Sequence, residues 1–192
     1  LPTLAAALIL LPAVALAHAD HAHGGPGGFL SGFLHPLAGW DHVLAMVAVG
    51  LWGAFLGAPA LWLLPVVFPL VMALGAALGI LSVPLPAVEA GIAASAAVLG
   101  LMIVLKARLP LPAAAAIVGV FAIFHGHAHG TELPQAATPA AYAVGFVLAT
   151  GLLHMLGIAF GALTRWPRGR LALQAGGGAI SLAGLAFLLG LA

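Results

Sequence analysis

Long apolar segments, separated by short stretches of proline, glycine and charge, occupy almost the whole chain. Six of them are long enough to cross a hydrocarbon core of roughly 30 Å at about 1.5 Å per helical residue. Lipid offers no water to unpaired backbone groups, and barrel-like alternation is absent from the sequence, so we predict helices. The predicted spans are residues 35–57, 60–83, 87–107, 112–129, 140–163 and 171–191. The pattern therefore predicts an all-α, polytopic transmembrane helix bundle of about six spans, forming a domain at 35–192.

Composition supports a membrane protein and excludes several functions. Of the 192 residues 64% are hydrophobic and 5% are charged, whereas a soluble domain carries roughly 25% charged residues. The net charge of +1 provides no basic surface of the kind that binds nucleic acid. The absence of cysteine excludes disulfides and thiolate metal sites. Histidine is the unusual component, because its nine copies equal the five basic and four acidic residues combined.

The N-terminal segment is typical of a secretory signal. Residues 4–16 form a short apolar core that ends in an Ala-Leu-Ala cleavage pattern. The alternative for residues 1–17 is a short extra transmembrane helix, near the lower length limit for spanning. Residues 18–34 follow as an exterior segment rich in histidine and glycine, which is either a secondary metal site or a polar spacer. Its candidate ligands are His18, Asp20, His21 and His23.

Basic side chains predict the orientation of the bundle. If the N terminus is outside, the connections at 106–108 and 165–170 face the cytoplasm and carry every Lys and Arg of the chain, as the positive-inside rule requires. A secretory signal predicts the same orientation. We therefore expect a multi-pass protein of a bacterial-type inner membrane, with an exterior N terminus after signal cleavage.

Glycine spacing predicts where the helices approach closely. Pairs of glycine four residues apart let helix backbones come into contact. With 26 glycines in the chain some pairs arise by chance, so each is weak evidence alone. The four pairs are Gly53/Gly57, Gly75/Gly79, Gly126/Gly130 and Gly157/Gly161.

Imidazoles and carboxylates are concentrated in two segments that this topology brings to one depth. The first span begins HPLAGWDHVLAM, and the fourth ends in FHGHAHGTE. In the fourth span His125, His129 and Glu132 are spaced i, i+4 and i+7 and share one helical stripe. His127 points nearly the opposite way and is a possible secondary metal ligand. The candidate ligands of the first span are His35, Asp41, His42 and Met46, with His35 and His42 also seven residues apart. We expect the two stripes to face one cavity in the outer half of the bundle.

The cost of burying charge indicates what this cavity holds. A carboxylate in mid-membrane costs about 2.5–3.5 kcal/mol, which imidazoles and a divalent cation can offset. The cluster thus predicts a metal or proton site, and the alternative is an exterior loop or a hydrogen-bonded lock between helices. In the fifth span His154 is either a deeper ligand or a hydrogen-bond partner of a neighbouring helix. Glu89, at the outer end of the third span, is expected to be solvated.

These residues resemble the signatures of the HupE/UreJ family of nickel and cobalt permeases. Segments 35–52 (HPLAGWDHVLAMVAVGLW) and 121–134 (FAIFHGHAHGTELP) look like its two main motifs, and 145–158 (GFVLATGLLHMLGI) is similar to a third, less specific one. The resemblance implies six mature helices, an exterior N terminus and uptake of Ni²⁺ or Co²⁺ into the cell. It also implies functional weight on His35, Asp41, His42, His125, His129 and Glu132. A link to the maturation of intracellular nickel enzymes is a further expectation.

Ligand chemistry alone leaves the ion and the rival functions open. Imidazole suits Ni, Zn, Cu and Fe, so Zn²⁺ also fits, and we expect a transported ion with no permanently bound cofactor. Lys106 belongs to no phosphate-binding loop, so we predict entry driven by the membrane potential or an ion gradient. The main alternative is an intramembrane zinc-dependent hydrolase, and a haem-binding electron carrier is the second. We predict a permease and no enzymatic activity.

Overall fold

The structure is a computed structural model that describes residues 28–133 and 138–191. Within these ranges the regular elements are helices and no strand is present, as the predicted all-α class requires. The α-helices are α1 (Phe29–Ala38), α2 (Trp40–Leu56), α3 (Ala60–Ile80), α4 (Val88–Val104), α5 (Leu111–Glu132), α6 (Pro139–Gly161) and α7 (Pro167–Leu188). The predicted signal segment and the candidate ligands His18, Asp20, His21 and His23 lie outside the described residues.

Four helices of the described part are long and apolar enough to cross a membrane, namely α3, α5, α7 and α6 with its short 3₁₀ extension. Together α1 and α2 make a fifth span if they are counted as one, although they are bent by 87°. The apolar helix α4 has 17 residues and rises about 25 Å, less than the roughly 30 Å of a hydrocarbon core. The chain is therefore a multi-pass helical membrane protein, with four or five spans by helix length where the sequence predicts six.

The first predicted span is broken, which corrects its interpretation as a single helix. Gly39 has an extended backbone, with φ −99° and ψ 118°, and separates α1 from α2. Pro36 lies inside α1 and removes one helical hydrogen-bond donor just before this point. His35 and His42 therefore lie on different helices, and their seven-residue spacing does not place them on one stripe.

Helices α3 and α5 pack through glycine, as predicted. A Cβ atom on Gly75 would overlap the carbonyl of Ile123, and one on Gly79 would overlap that of His127. On the facing helix Gly126 lies equally close to the backbone of α3. The contacts advance in the same direction along both helices, so α3 and α5 are parallel.

Helices α2 and α6 form a second parallel pair. Gly50 lies against the carbonyl of His154, and further along both helices Gly161 lies against Ala54. The prediction for Gly57 is wrong, because its φ of +82° ends α2 and a Cβ there would contact nothing within 4 Å in the described part of the chain. Gly57 therefore terminates α2 and does not take part in the packing of two helices.

Basic side chains gather at one end of the bundle. A cavity of about 290 Å³ lies at this end and is lined by Phe55 near the end of α2 and by Lys106, Arg108, Thr164 and Arg170. Helix α2 runs from the histidine-rich segment to this cavity. The cationic end and the histidine-rich end are therefore opposite ends of the bundle, which agrees with the predicted alternation of the spans.

Candidate metal site

Three imidazoles from α2 and α5 converge inside the bundle. His42 Nδ1 lies 3.1 Å from His125 Nδ1 and 3.3 Å from His129 Nε2. His42 is 3% exposed and His125 is 1% exposed. Ligands held about 2.0–2.1 Å from one ion are separated by about 3.4 Å in a tetrahedron and about 3.0 Å at adjacent corners of an octahedron. The spacing of this inner triad (His42, His125, His129) is therefore that of side chains able to share a divalent cation.

A second group lies beside the first and opens outward. His35 Nε2 lies 3.0 Å from His129 Nδ1 and 3.0 Å from Glu132 Oε2. The side chain of Glu132 is 50% exposed, so this outer triad (His35, His129, Glu132) reaches the surface of the protein. His129 belongs to both triads, with Nδ1 in the outer one and Nε2 in the inner one. Its ring therefore connects an exposed ligand group to a buried one.

Helix α5 positions its candidate ligands by periodicity. His125, His129 and Glu132 occupy successive turns of one unbroken helix and face the same cluster, as predicted from their spacing. The residues that follow the two histidines are glycines that contact α3 on another face of the helix. Close packing with α3 and ligand presentation therefore use different faces of α5.

Aromatic side chains of α6 cover the triads. The Phe146 ring centroid lies 4.6 Å from that of His129 and 5.6 Å from that of His42. Tyr142 lies one turn earlier, 5.9 Å from the ring of His35. These rings contact the outer and inner triads from one side and limit the access of lipid to the imidazoles.

Ser95 on α4 is part of the site and was missed by sequence reasoning. Its hydroxyl donates to the Ile92 carbonyl at 2.5 Å, so its oxygen accepts the hydrogen bond from His125 Nε2 at 2.9 Å. The proton of His125 is thereby held on Nε2, and the lone pair of Nδ1 faces His42. A buried hydroxyl in an otherwise apolar span was the only sequence signal for this role.

Three other predicted ligands lie outside the two triads. Asp41 accepts a hydrogen bond from the backbone N–H of His42 at 2.8 Å, in the first turn of α2. Met46 lies one turn beyond His42, wholly buried in the hydrophobic core. His127 points away from the cluster, as predicted, and donates from Nε2 to the Val83 carbonyl at 2.8 Å. None of the three belongs to a triad, and their roles as ligands stay predictions.

His154 lies deeper in the bundle, on α6. It is 1% exposed, and neither ring nitrogen has a hydrogen-bond partner among the residues that the structure describes. The expectation that it bonds a neighbouring helix is therefore not met in this part of the chain. The centroid of its ring lies 5.5 Å from that of Phe68, and the ring of Phe68 also lies 5.5 Å from that of His125. Glu89 is exposed, consistent with the solvated position predicted for it.

The helices and the two triads define a multi-pass membrane protein with a histidine–carboxylate cluster at one end of its bundle. Residues 6–187 match the family model described as HupE / UreJ protein. The chain belongs to the HupE/UreJ family, whose members are transporter-type membrane proteins and not enzymes and whose substrate is a metal ion. The resemblance seen in the motifs is thus confirmed.

One curated relative supports the same assignment over almost the full length. The chain is 46% identical over 182 residues to Protein HupE of Rhizobium leguminosarum bv. viciae, and the alignment covers 94% of this chain and 95% of that protein. No solved structure matches the chain.

Proposed function

We propose that this protein is a permease that moves Ni²⁺ or Co²⁺ into the cell, and that Zn²⁺ is an alternative cargo for the same ligands. The observation that carries the proposal is the shared ring of His129, which presents one nitrogen to each triad. An ion bound by His35 and Glu132 at the surface could exchange these ligands one at a time for those of the inner triad. Transfer in small steps avoids a state in which a bare dication is surrounded by apolar side chains.

Charge balance supports a dication as the cargo. Asp41 and Glu132 together carry two negative charges close to the triads, which matches the charge of Ni²⁺ or Co²⁺. The start of α2 directs the positive end of a helix dipole toward the site, and Asp41 in its first turn offsets that field. The carboxylates thus lower the cost of bringing a cation to the imidazoles.

The distribution of basic residues supports inward movement. If the end that carries Lys106, Arg108 and Arg170 faces the cytoplasm, as the positive-inside rule asks, the outer triad opens to the exterior of the inner membrane. A dication that moves inward then gains about 4.6 kcal/mol at 100 mV, since each charge contributes about 2.3 kcal/mol. The membrane potential alone can therefore concentrate the metal roughly a thousandfold, although an ion gradient could add to it. The imported ion would serve the maturation of intracellular nickel enzymes.

Neither rival function is favoured by the site. A zinc-dependent hydrolase does not agree with a family of transporter-type proteins. A haem carrier needs a flat porphyrin between its axial imidazoles, but His42 Nδ1 and His125 Nδ1 are only 3.1 Å apart. The close rings, with that of His42 inclined by 69° to His125 and by 78° to His129, suit a single ion.

Two histidines on α5 provide a matched test. We expect His129→Gln to lower the uptake of labelled Ni²⁺ and Co²⁺ into proteoliposomes, under an inside-negative potential, by about tenfold or more because both triads lose a ligand. His127→Gln changes the same residue type two positions away, outside both triads, and keeps a donor for the Val83 carbonyl. It should transport as the wild type does. Equal uptake by the two variants, or a wild-type protein that moves no metal, would contradict the proposal.

A further inference from the structure

Four buried polar atoms of three side chains have no hydrogen-bond partner in the described ranges, namely Thr150 Oγ1, both ring nitrogens of His154, and Nε2 of His42. His154 and Thr150 are almost completely buried. Buried polar groups are normally hydrogen-bonded, and each exception calls for an explanation. A leucine at position 154 would fill similar space without this cost. The unpartnered atoms therefore point to a ligand that is bound there for part of the time.

The unpartnered atoms of Thr150 and His154 follow the inner triad along the bundle. Phe146 contacts the ring of His42, and Thr150 and His154 lie one and two turns beyond Phe146 on α6. His154 is thus about 12 Å further along the helix axis, at the level where Gly50 brings α2 into contact with α6. Since α2 and α6 run in parallel toward the basic end, His154 lies on the inward side of the triads.

We infer that Thr150 and His154 form a third, deeper metal-binding station for a borderline divalent cation, and this inference rests on the proposed function. The two residues are four apart on α6, so the hydroxyl and the imidazole lie on one face of the helix. They offer one oxygen and one nitrogen ligand, which suit Ni²⁺, Co²⁺ or Zn²⁺.

His42 provides the link from the inner triad. Its Nδ1 faces His125 and His129, while its Nε2 has no partner in the described structure. His129 connects the outer triad to the inner one through its two nitrogens in the same way. The side chain of Phe68 contacts both His125 and His154 and is wholly buried, so an ion that passes between them displaces this ring.

Replacement by apolar residues of similar size tests the station directly. We expect His154→Leu to lower the rate of Ni²⁺ uptake about tenfold or more, while its melting temperature equals or exceeds that of the wild type. Thr150→Val, which removes only the hydroxyl, should lower the rate in the same direction and by less. His127→Leu is the matched control, and its uptake per folded protein should be unchanged. Uptake by His154→Leu equal to that of His127→Leu would overturn the inference, as would a loss of stability with unchanged uptake per folded protein.

A second measurement does not depend on transport. The chain contains no cysteine, so His154→Cys introduces a unique thiol that also binds soft dications. We expect Cd²⁺ to slow modification of this thiol by a small methanethiosulfonate reagent about tenfold in detergent-solubilised protein. A thiol that does not react, or one that reacts equally fast with and without Cd²⁺, would contradict a station within reach of ions.

The two experiments separate this inference from the proposed function. If the wild type moves no metal but Cd²⁺ protects the thiol, the permease proposal fails and the station is retained. If the wild type and His154→Leu both transport at the same rate, the permease proposal is retained and the station fails.

Discussion

Removal of the Ser95 hydroxyl should weaken metal binding without touching a ligand. Ser95 Oγ accepts a hydrogen bond from His125 Nε2 at 2.9 Å, and its own O–H group donates a hydrogen bond to the Ile92 carbonyl. In Ser95→Ala the Nε2–H group of His125 is buried without this partner. The imidazole then either keeps a buried donor without a hydrogen bond or moves its proton to Nδ1, which removes the lone pair that faces the inner triad.

The size of the effect follows from burial. Ser95 is 0% exposed and His125 1% exposed, so water cannot readily replace the lost bond. A buried donor left unsatisfied costs about 1–3 kcal/mol, and loss of a partner that orients a metal-binding histidine lowers affinity about ten- to hundredfold. These values agree, because each tenfold change in affinity corresponds to about 1.4 kcal/mol.

The assay is titration of the purified protein with Ni²⁺ against a competing chelator. Ser181→Ala is the control, because its hydroxyl donates to the Ala97 carbonyl at 2.9 Å, at the contact between α4 and α7. We expect Ser95→Ala to bind Ni²⁺ at least about tenfold more weakly than Ser181→Ala does. Equal affinities would refute the idea that Ser95 fixes the proton of His125.

Two further predictions concern packing and charge. Gly126→Ala should lower the melting temperature, because its Cβ would overlap the backbone of Met72. Gly151→Ala is the control, because a Cβ there meets nothing within 4 Å in the described part of the chain. It should leave the melting temperature unchanged or raise it, since alanine favours a helix over glycine by about 0.5–1 kcal/mol. Equal effects of the two substitutions would disprove the assignment of close packing. Asp41→Asn keeps an acceptor for the His42 N–H but removes a negative charge beside the site. We expect it to abolish metal accumulation and leave a monodisperse, folded protein. Unchanged uptake would show that the charge is dispensable.

Helical periodicity was sufficient to predict that three polar side chains of α5 face one cluster. His125, His129 and Glu132 lie on one uninterrupted helix, so their spacing in sequence determines their direction in space. The same reasoning failed for His35 and His42, because an apolar run looks continuous even when Pro36 and Gly39 break it. The sequence contained both breakers, but a segment of 23 mostly apolar residues suggested a single span.

Contacts between distant segments were beyond sequence reasoning. Ser95 and His125 are 30 residues apart on different helices, and their hydrogen bond depends on how α4 packs against α5. The two hypotheses for His154 could be separated only when its surroundings were known, because a histidine with a partner and one without a partner look identical in sequence. Hydropathy patterns define each helix singly, whereas these contacts depend on the relative rotation of two helices.

Because the chain turns by 87° between α1 and α2, the side chains of the outer triad are carried by helices that can move separately. His35 is carried by α1, which packs on α6 through Gly32 and Gly145, whereas His129 and Glu132 are carried by α5. A small swing of α1 about the turn would change the distance from His35 to Glu132 and leave His125 and His129 fixed relative to each other. Such a movement would weaken ion binding at the outer triad while the inner triad keeps its geometry.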